Sequence, residues 1–311
     1  MTAPTPAPSA THKPARHHLP LLLLPALLLG ACQSKLQVDL AVSSLDGASA
    51  LSLAVPTVNL KDSGGTVHSY DTGYDSSLDL LPYSSDDQDH SDRLALLDED
   101  NVSGDFTGVR PVFKISASYL TLDDGTKIPL VLGDQADYAD LSFSLSKSST
   151  SGNDTAHLVL TLELPFSLIH TSDSSYTLKP VVRVAKKDES GNISGTIPQA
   201  IITGSTCGSA AGSGVAVYAY KGSGVTPVDY YNDGTDQHSY QPIASSALSY
   251  DSSNEDYTFE LRYLPAGSYT LALTCNAGDD QPDTDDALDF LSDYTQNVSV
   301  SSGATASVTL Q

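Results

Sequence analysis

The chain is short of positive charge, of glutamate and of long apolar runs. Its 311 residues carry 15 Lys and Arg against 38 Asp and Glu, a formal net charge of −23. So few cations argue against binding a nucleic-acid backbone, whose phosphates need Lys or Arg to neutralise them. Only five of the acids are glutamate: Glu99, Glu163, Glu189, Glu255 and Glu260. Aspartate favours turns and caps whereas glutamate favours helix interiors, so the skew argues against an all-helical protein. The one long apolar stretch, residues 19–31, is broken by Pro20 and Pro25. It is shorter than the roughly 20 apolar residues a spanning helix needs. His68, His90, His157, His170 and His238 form no HxxxH or HExxH pair. GxSxG, the P-loop and GxGxxG are also missing, so no zinc, nucleophile-elbow or nucleotide-phosphate chemistry is indicated.

What is present fixes the general class. Hydrophobic residues make up 40% of the chain, enough for a packed core. The length suits about two domains. Near the start, His12, Lys13, Arg16, His17 and His18 precede LPLLLLPALLLGA, followed by Cys32. A basic head, a short apolar run and small residues before a cut make an export signal. Leu29-Gly30-Ala31-Cys32 resembles the bacterial lipobox. That resemblance implies a lipoprotein signal peptide over residues 1–31 and acylation (palmitate class) of Cys32. Residues 32–35 then form a short tether. Gln33 resembles the outer-membrane sorting class, so the expected location is the Gram-negative outer membrane, with the acyl chains as anchor. Cys207 and Cys275 remain. Two leftover thiols in an oxidising compartment are expected to pair as a disulfide.

From residue 36 onward the sequence alternates apolar and polar residues in short runs between turn signals. Examples are Leu36–Val42, Leu51–Val55, Val58–Leu60, Val112–Leu122, Leu141–Leu145 and Leu158–Leu164. Asp123-Asp124-Gly125-Thr126 is a hairpin turn in which Gly accepts positive φ. Arg93–Leu97 fits either one helical turn or a strand, and Tyr176–Val184 reads as one strand. After Ile193 the rhythm restarts through Val215–Tyr220, Tyr257–Leu261, Ser268–Cys275, Gln296–Val300 and Ala306–Leu310. Many short strands with regular turns predict an all-β protein of two consecutive β-sandwich modules.

Two stretches resemble known families. Residues 36–190 resemble the domain of unknown function 4382 of exported bacterial lipoproteins. The carriers are Leu78-Asp79-Leu80-Leu81, Gly104-Asp105-Phe106-Thr107-Gly108-Val109-Arg110, the Leu178-Lys179-Pro180-Val181 run and the Gly191–Ile197 segment after it. Residues 191–311 resemble the carboxypeptidase regulatory-like, or prealbumin-like (transthyretin-like), sandwiches. Here the carriers are ISGTI at 193–197, VAVYAY at 215–220 and LRYLPAGSYTLAL at 261–273. In the Leu-Pro-Ala-Gly-Ser-Tyr turn, Pro265 sets φ, Gly267 is expected at an unusual φ and Tyr269 packs back on the sheet. The likenesses imply spacer, carbohydrate-binding or partner-binding modules with no catalytic residues.

Three sets of residues are candidates for chemistry. Asp279, Asp280, Asp283, Asp285, Asp286 and Asp289 crowd into eleven residues. Hard oxygen ligands at this density suit weak calcium binding, but the EF-hand Gly and Glu positions are missing, which favours a solvated acidic loop. The segment 86–92 is a weaker cluster of the same kind. Tyr230, Tyr231 and Tyr240, near Asn232, Asp233, Gln237 and His238, offer ring faces and polar groups that suit a sugar, although sandwich cores also use Tyr routinely. No cofactor other than weak calcium is indicated. The leading expectation is therefore a non-enzymatic outer-membrane lipoprotein with a structural, adhesive or partner-binding role. Its partners would be the membrane, through Cys32, and a polysaccharide or envelope protein. The alternative is a carbohydrate-binding cell-surface lipoprotein.

Overall fold

A computed structural model describes residues 34–84, 92–146, 154–172, 175–204, 207–208 and 214–311. The expected export signal, Cys32 and most of the 86–92 cluster lie outside these residues. Residues 32–311 form one compact unit. Among the described residues it is built almost wholly of strands, and the expected all-β sandwich class holds.

Eleven strands precede residue 190. They are β1 (Ser34–Val42), β2 (Ala48–Asp62), β3 (Val67–Asp79), β4 (Leu94–Asp100), β5 (Gly104–Leu122), β6 (Lys127–Leu132), β7 (Ala139–Leu145), β8 (Asp154–Leu162), β9 (Leu168–Ser172), β10 (Ser175–Leu178) and β11 (Val182–Lys186). They form a four-stranded sheet in the order β11-β8-β1-β4. A seven-stranded sheet runs β3-β2-β5-β6-β10-β9, with β7 pairing β5. Leu36, Val38 and Leu40 of β1 and Leu51, Leu53, Val55, Val58 and Leu60 of β2 are fully buried in one shared core. The alternation read from the sequence is the pleat delivering every second side chain to that core.

Eight strands follow: β12 (Ser190–Pro198), β13 (Ala216–Lys221), β14 (Pro242–Ala247), β15 (Ser249–Asp251), β16 (Asp256–Pro265), β17 (Gly267–Thr274), β18 (Phe290–Val300) and β19 (Thr305–Thr309). They make two four-stranded sheets, β15-β16-β12-β19 and β14-β13-β17-β18, packed over Ile193, Ile197, Val217, Phe259, Leu261, Leu271 and Leu273. Gly195 is needed here because its strand partner Phe259 lies over it: a Cβ would sit 2.1 Å from the ring. Cys207 and Cys275 are joined as a disulfide.

Several local readings change. Of the two readings of Arg93–Leu97, strand holds from Leu94, because β4 pairs β1 and buries Leu94, Leu96 and Leu97. Tyr176–Val184 is two strands in different sheets. β10 pairs β6 and β9, Pro180 interrupts, and β11 pairs β8 across the sandwich. Pro has no N–H for a ladder, so the chain changes sheets there. The separate runs 51–55 and 58–60 are one long strand, β2. Gly267 has no positive φ; in this corner the left-handed residue is Tyr263, at φ 52°. Tyr269 does pack back, buried, with its hydroxyl donating to Pro265 O at 2.5 Å. Strands β9, β14 and β15 and the short helices α1 (Leu164–Ser167) and α2 (Gln199–Thr203) carry no alternation long enough to show in the sequence.

Candidate functional site

The two groups of sheets meet across a junction that begins with uninterrupted apolar strands. In β13, Val217 and Ala219 face the core, while Ala216, Tyr218 and Tyr220 face the other way. A strand covered on both faces loses the polar half of its alternation. That explains VAVYAY, and the same holds for the buried run Leu158–Leu162 of β8. The covering residue on β13 is Phe166 of α1, whose ring stacks on Tyr230 at 4.5 Å and meets Tyr218 edge-on. Tyr263 reaches in the opposite direction and packs on Ala41 and Val159.

Charged side chains close the junction. Glu163 is 1% exposed and takes a two-point contact from Arg183, Nη2 at 2.8 Å and Nε at 3.1 Å. Arg183 also donates to Tyr263 O at 2.5 Å and Arg262 O at 3.0 Å. Burial holds the Glu163 carboxyl above its ordinary range, and the Arg183 charge only partly offsets that. Arg262, 7% exposed, donates to Tyr83 O at 2.8 Å, Asp92 O at 3.2 Å and Val42 O at 3.4 Å. The Tyr263 hydroxyl donates to Asp92 and accepts from Arg93. Arg93 continues to Asp39 at 2.9 Å, and His157 Nε2 lies 2.7 Å from the same Asp39 oxygen.

Local backbone geometry aims these groups. Opposite Asn192 the β12–β16 register slips, so Arg262 and Tyr263 together face one residue. Such a bulge re-aims side chains. The left-handed φ at Tyr263 costs roughly 1–2 kcal/mol, and the Tyr263 N–H is held by Asn192 Oδ1 at 3.0 Å. The charged residue inside Leu261-Arg262-Tyr263-Leu264, and those inside Leu162-Glu163-Leu164 and Val182-Arg183-Val184, were the available sequence signals. Charged residues inside apolar strands are buried only when paired.

A cleft of about 320 Å³ opens beside Phe166 and Tyr230 and is lined also by Tyr138, Lys179, Asn232 and Asp233. Three backbone N–H and hydroxyl contacts from Thr235 and Asp236 hold Asp233 well below the usual carboxylate range.

The acidic segment divides. Asp279, Asp283 and Asp289 are exposed. Asp280, 8% exposed, packs inward: Oδ2 accepts from the Tyr218 hydroxyl at 2.5 Å and from Tyr230 N at 3.4 Å, while Oδ1 is buried with no partner. Burial pushes the Asp280 carboxyl up to about 7; the Tyr218 and Tyr230 hydrogen bonds oppose the shift and the Asp229 and Asp286 charges add to it. Asp229, 2% exposed, accepts from Asp286 N at 2.6 Å and lies 2.7 Å from His238, which also approaches Asp285 at 3.3 Å. Thus Asp280, Asp285 and Asp286 come together with Asp229 and His238. The metal reading of the sequence did not include Asp229, although an acid within Val228-Asp229-Tyr230-Tyr231 was its signal.

The tyrosines do not form one face. Tyr230 is buried in the junction, Tyr231 lies against His238 at 5.5 Å between ring centres, and Tyr240 is 72% exposed. No described helix is long and apolar enough to cross a membrane.

No family model matches the chain, and no curated protein matches it. Solved structures overlap it only loosely. GBS52, the minor pilin of Streptococcus agalactiae, is 12% identical, with 89% of this chain and 94% of the pilin covered and a TM-score of 0.20. The Bacillus anthracis TIE protein is also 12% identical, with 88% of this chain and 38% of that protein covered and a TM-score of 0.19. A candidate adhesin from Bacteroides ovatus is 9% identical, with 97% and 95% covered and a TM-score of 0.20. Overlaps this loose carry no argument about what the chain does.

Proposed function

We propose that the chain is a non-enzymatic outer-membrane lipoprotein, anchored through acylated Cys32, whose two β-sandwiches act as one adhesive or structural unit. The observation that supports this most is the junction. Arg183, held by buried Glu163, donates across it to Arg262 O, and buried Arg262 donates back to Tyr83 O, so the strands on either side of residue 190 are tied together. Such coupling suits a part that holds a fixed presentation at a cell surface, since modules linked only by a small polar contact move independently by default. The anchor follows from the lipobox-like Leu29-Gly30-Ala31-Cys32. Metabolic labelling of the full chain in a Gram-negative host with a clickable palmitate tests it. Label in the outer-membrane fraction, lost in Cys32→Ser, is the expected result; unlabelled, soluble wild-type protein contradicts it.

A second reading, carbohydrate binding, is favoured by the cleft in which Tyr138 and Tyr230 stand beside Asn232 and Asp233. Tyr138 and the part of Tyr230 not stacked on Phe166 supply apolar ring surface for a sugar, while amide and carboxylate meet its hydroxyls. A glycan array probed with the mature chain and with Asn232→Ala decides it. Binding that falls at least tenfold in the variant supports the reading, and no binding to any glycan removes it.

A further inference from the structure

Asp229, Asp280 and Asp286 come from two separate segments, 228–231 and 280–286, and each offers a carboxylate oxygen within 4.8 Å of the other two. Two of the three are buried, and no Lys or Arg among the described residues pairs with any of them. Three carboxylates at this spacing repel one another unless something positive sits among them. The His238 ring is already taken, with Nε2 2.7 Å from Asp229 Oδ1 and 3.3 Å from Asp285. In a related triad, Asp229–His238–Asp285, the His238 ring is already in hydrogen-bond contact with both acids.

The decisive observation is Asp280 Oδ1, a buried oxygen without a hydrogen-bond partner on a side chain more than nine-tenths buried. A buried acceptor left unmet costs the full desolvation of the group. The other oxygen of the same carboxylate is fixed by the Tyr218 hydroxyl and Tyr230 N, so the carboxylate cannot simply turn to find a donor.

We propose that Asp229, Asp280 and Asp286 bind a calcium ion, which ties the segment 280–286 to the segment 228–231 behind Tyr230. Oxygen-only donors select a hard cation. Calcium accepts six to eight oxygens at about 2.3–2.6 Å with loose geometry, so water completes the shell. Two ligands at about 2.4 Å from one ion lie at most about 4.8 Å apart, and the three oxygens are all within that distance of one another. The neighbouring bonds already follow this course: Asn232 N donates to Pro282 O at 2.8 Å and Asp286 N to Asp229 Oδ2 at 2.6 Å. The ion therefore braces the wall of the cleft on which Phe166 stacks.

The test uses the full chain in detergent, with calcium chloride and with chelator. Extracellular calcium modules bind at roughly 10⁻⁴–10⁻³ M. At calcium tenfold above Kd, Tm should rise by about 3–6 °C over the chelated protein. Asp280→Asn should abolish the rise and, in chelator, melt above the wild type. Asp286→Asn, at a half-buried position, should weaken calcium binding at least tenfold if Asp280→Asn does not fold. Terbium luminescence gives a second readout: with no Trp in the chain, sensitised emission must come from tyrosine, and Tyr218 touches Asp280. Calcium should quench that emission in the wild type, and Asp286→Asn should lose it. Equal melting temperatures in calcium and chelator overturn the proposal, as does a calcium rise retained in both variants.

Discussion

Asp39 and Asp280 are both largely covered aspartates, yet their surroundings treat them in opposite ways. Asp39 sits at the module junction against Arg93 and His157. Burial works to raise its carboxyl, but the hydrogen bonds and charges of those two partners outweigh burial and hold it low. Asp280 has a tyrosine hydroxyl and a backbone N–H on one oxygen, nothing on the other, and two further carboxylates nearby. Burial raises its carboxyl and nothing cationic pulls it back. With 15 basic residues against 38 acids, the protein places Arg93, Arg183 and Arg262 where two sandwiches must be held together. It leaves the acidic segment without one.

The sharpest way to break that contrast is to strip a junction acid of its partner. Arg183→Ala leaves Glu163 buried and unpaired, and should cost about 3–5 kcal/mol. Urea unfolding followed by circular dichroism should then show the single transition of the parent moved to lower urea or split in two. An unchanged curve would mean the junction carries no stability. The disulfide ranks next. Cys207→Ser with Cys275→Ser should cost about 2–5 kcal/mol, read as a lower thermal midpoint in the absence of reductant, and reductant should then have no further effect.

The pH response is smaller and has a definite sign. The folded Asp39 carboxyl titrates below its unfolded value of about 3.9. Its contribution is therefore present above about pH 4 and is lost as pH falls through the folded value. Asp39→Asn should flatten the decline in stability between pH 4 and pH 2 relative to the parent, measured by urea midpoints. A decline of equal steepness in both would place the acid-labile groups elsewhere.

Much of the fold was legible because a sandwich strand with one buried face must alternate, as Leu36–Val42 and Leu141–Leu145 do. The hairpin at Gly125, with φ 83°, was legible because few other residues take that conformation. The change of sheet at Pro180 was harder to see, since apolar residues on both sides continue the pattern and only the missing N–H marks the break. The junction was out of reach for a different reason. Arg262 meets Tyr83 and Val42 across 179 and 220 residues, and no local pattern states which distant carbonyl a buried arginine will find. The acidic segment was visible as composition, but its division was not. Asp279, Asp283 and Asp289 differ from Asp280 only in which way the turns face them, and Asp229 joins from the β13–β14 loop some fifty residues earlier.

The comparison is tested most directly by melting Asp39→Asn and Asp280→Asn side by side with the parent at pH 8, above the Asp280 value of about 7, in chelator. Neutralising Asp39 removes one charged partner of Arg93 and should lower Tm, whereas neutralising Asp280 removes an unpaired buried charge and should raise it. Two shifts of the same sign would contradict the account.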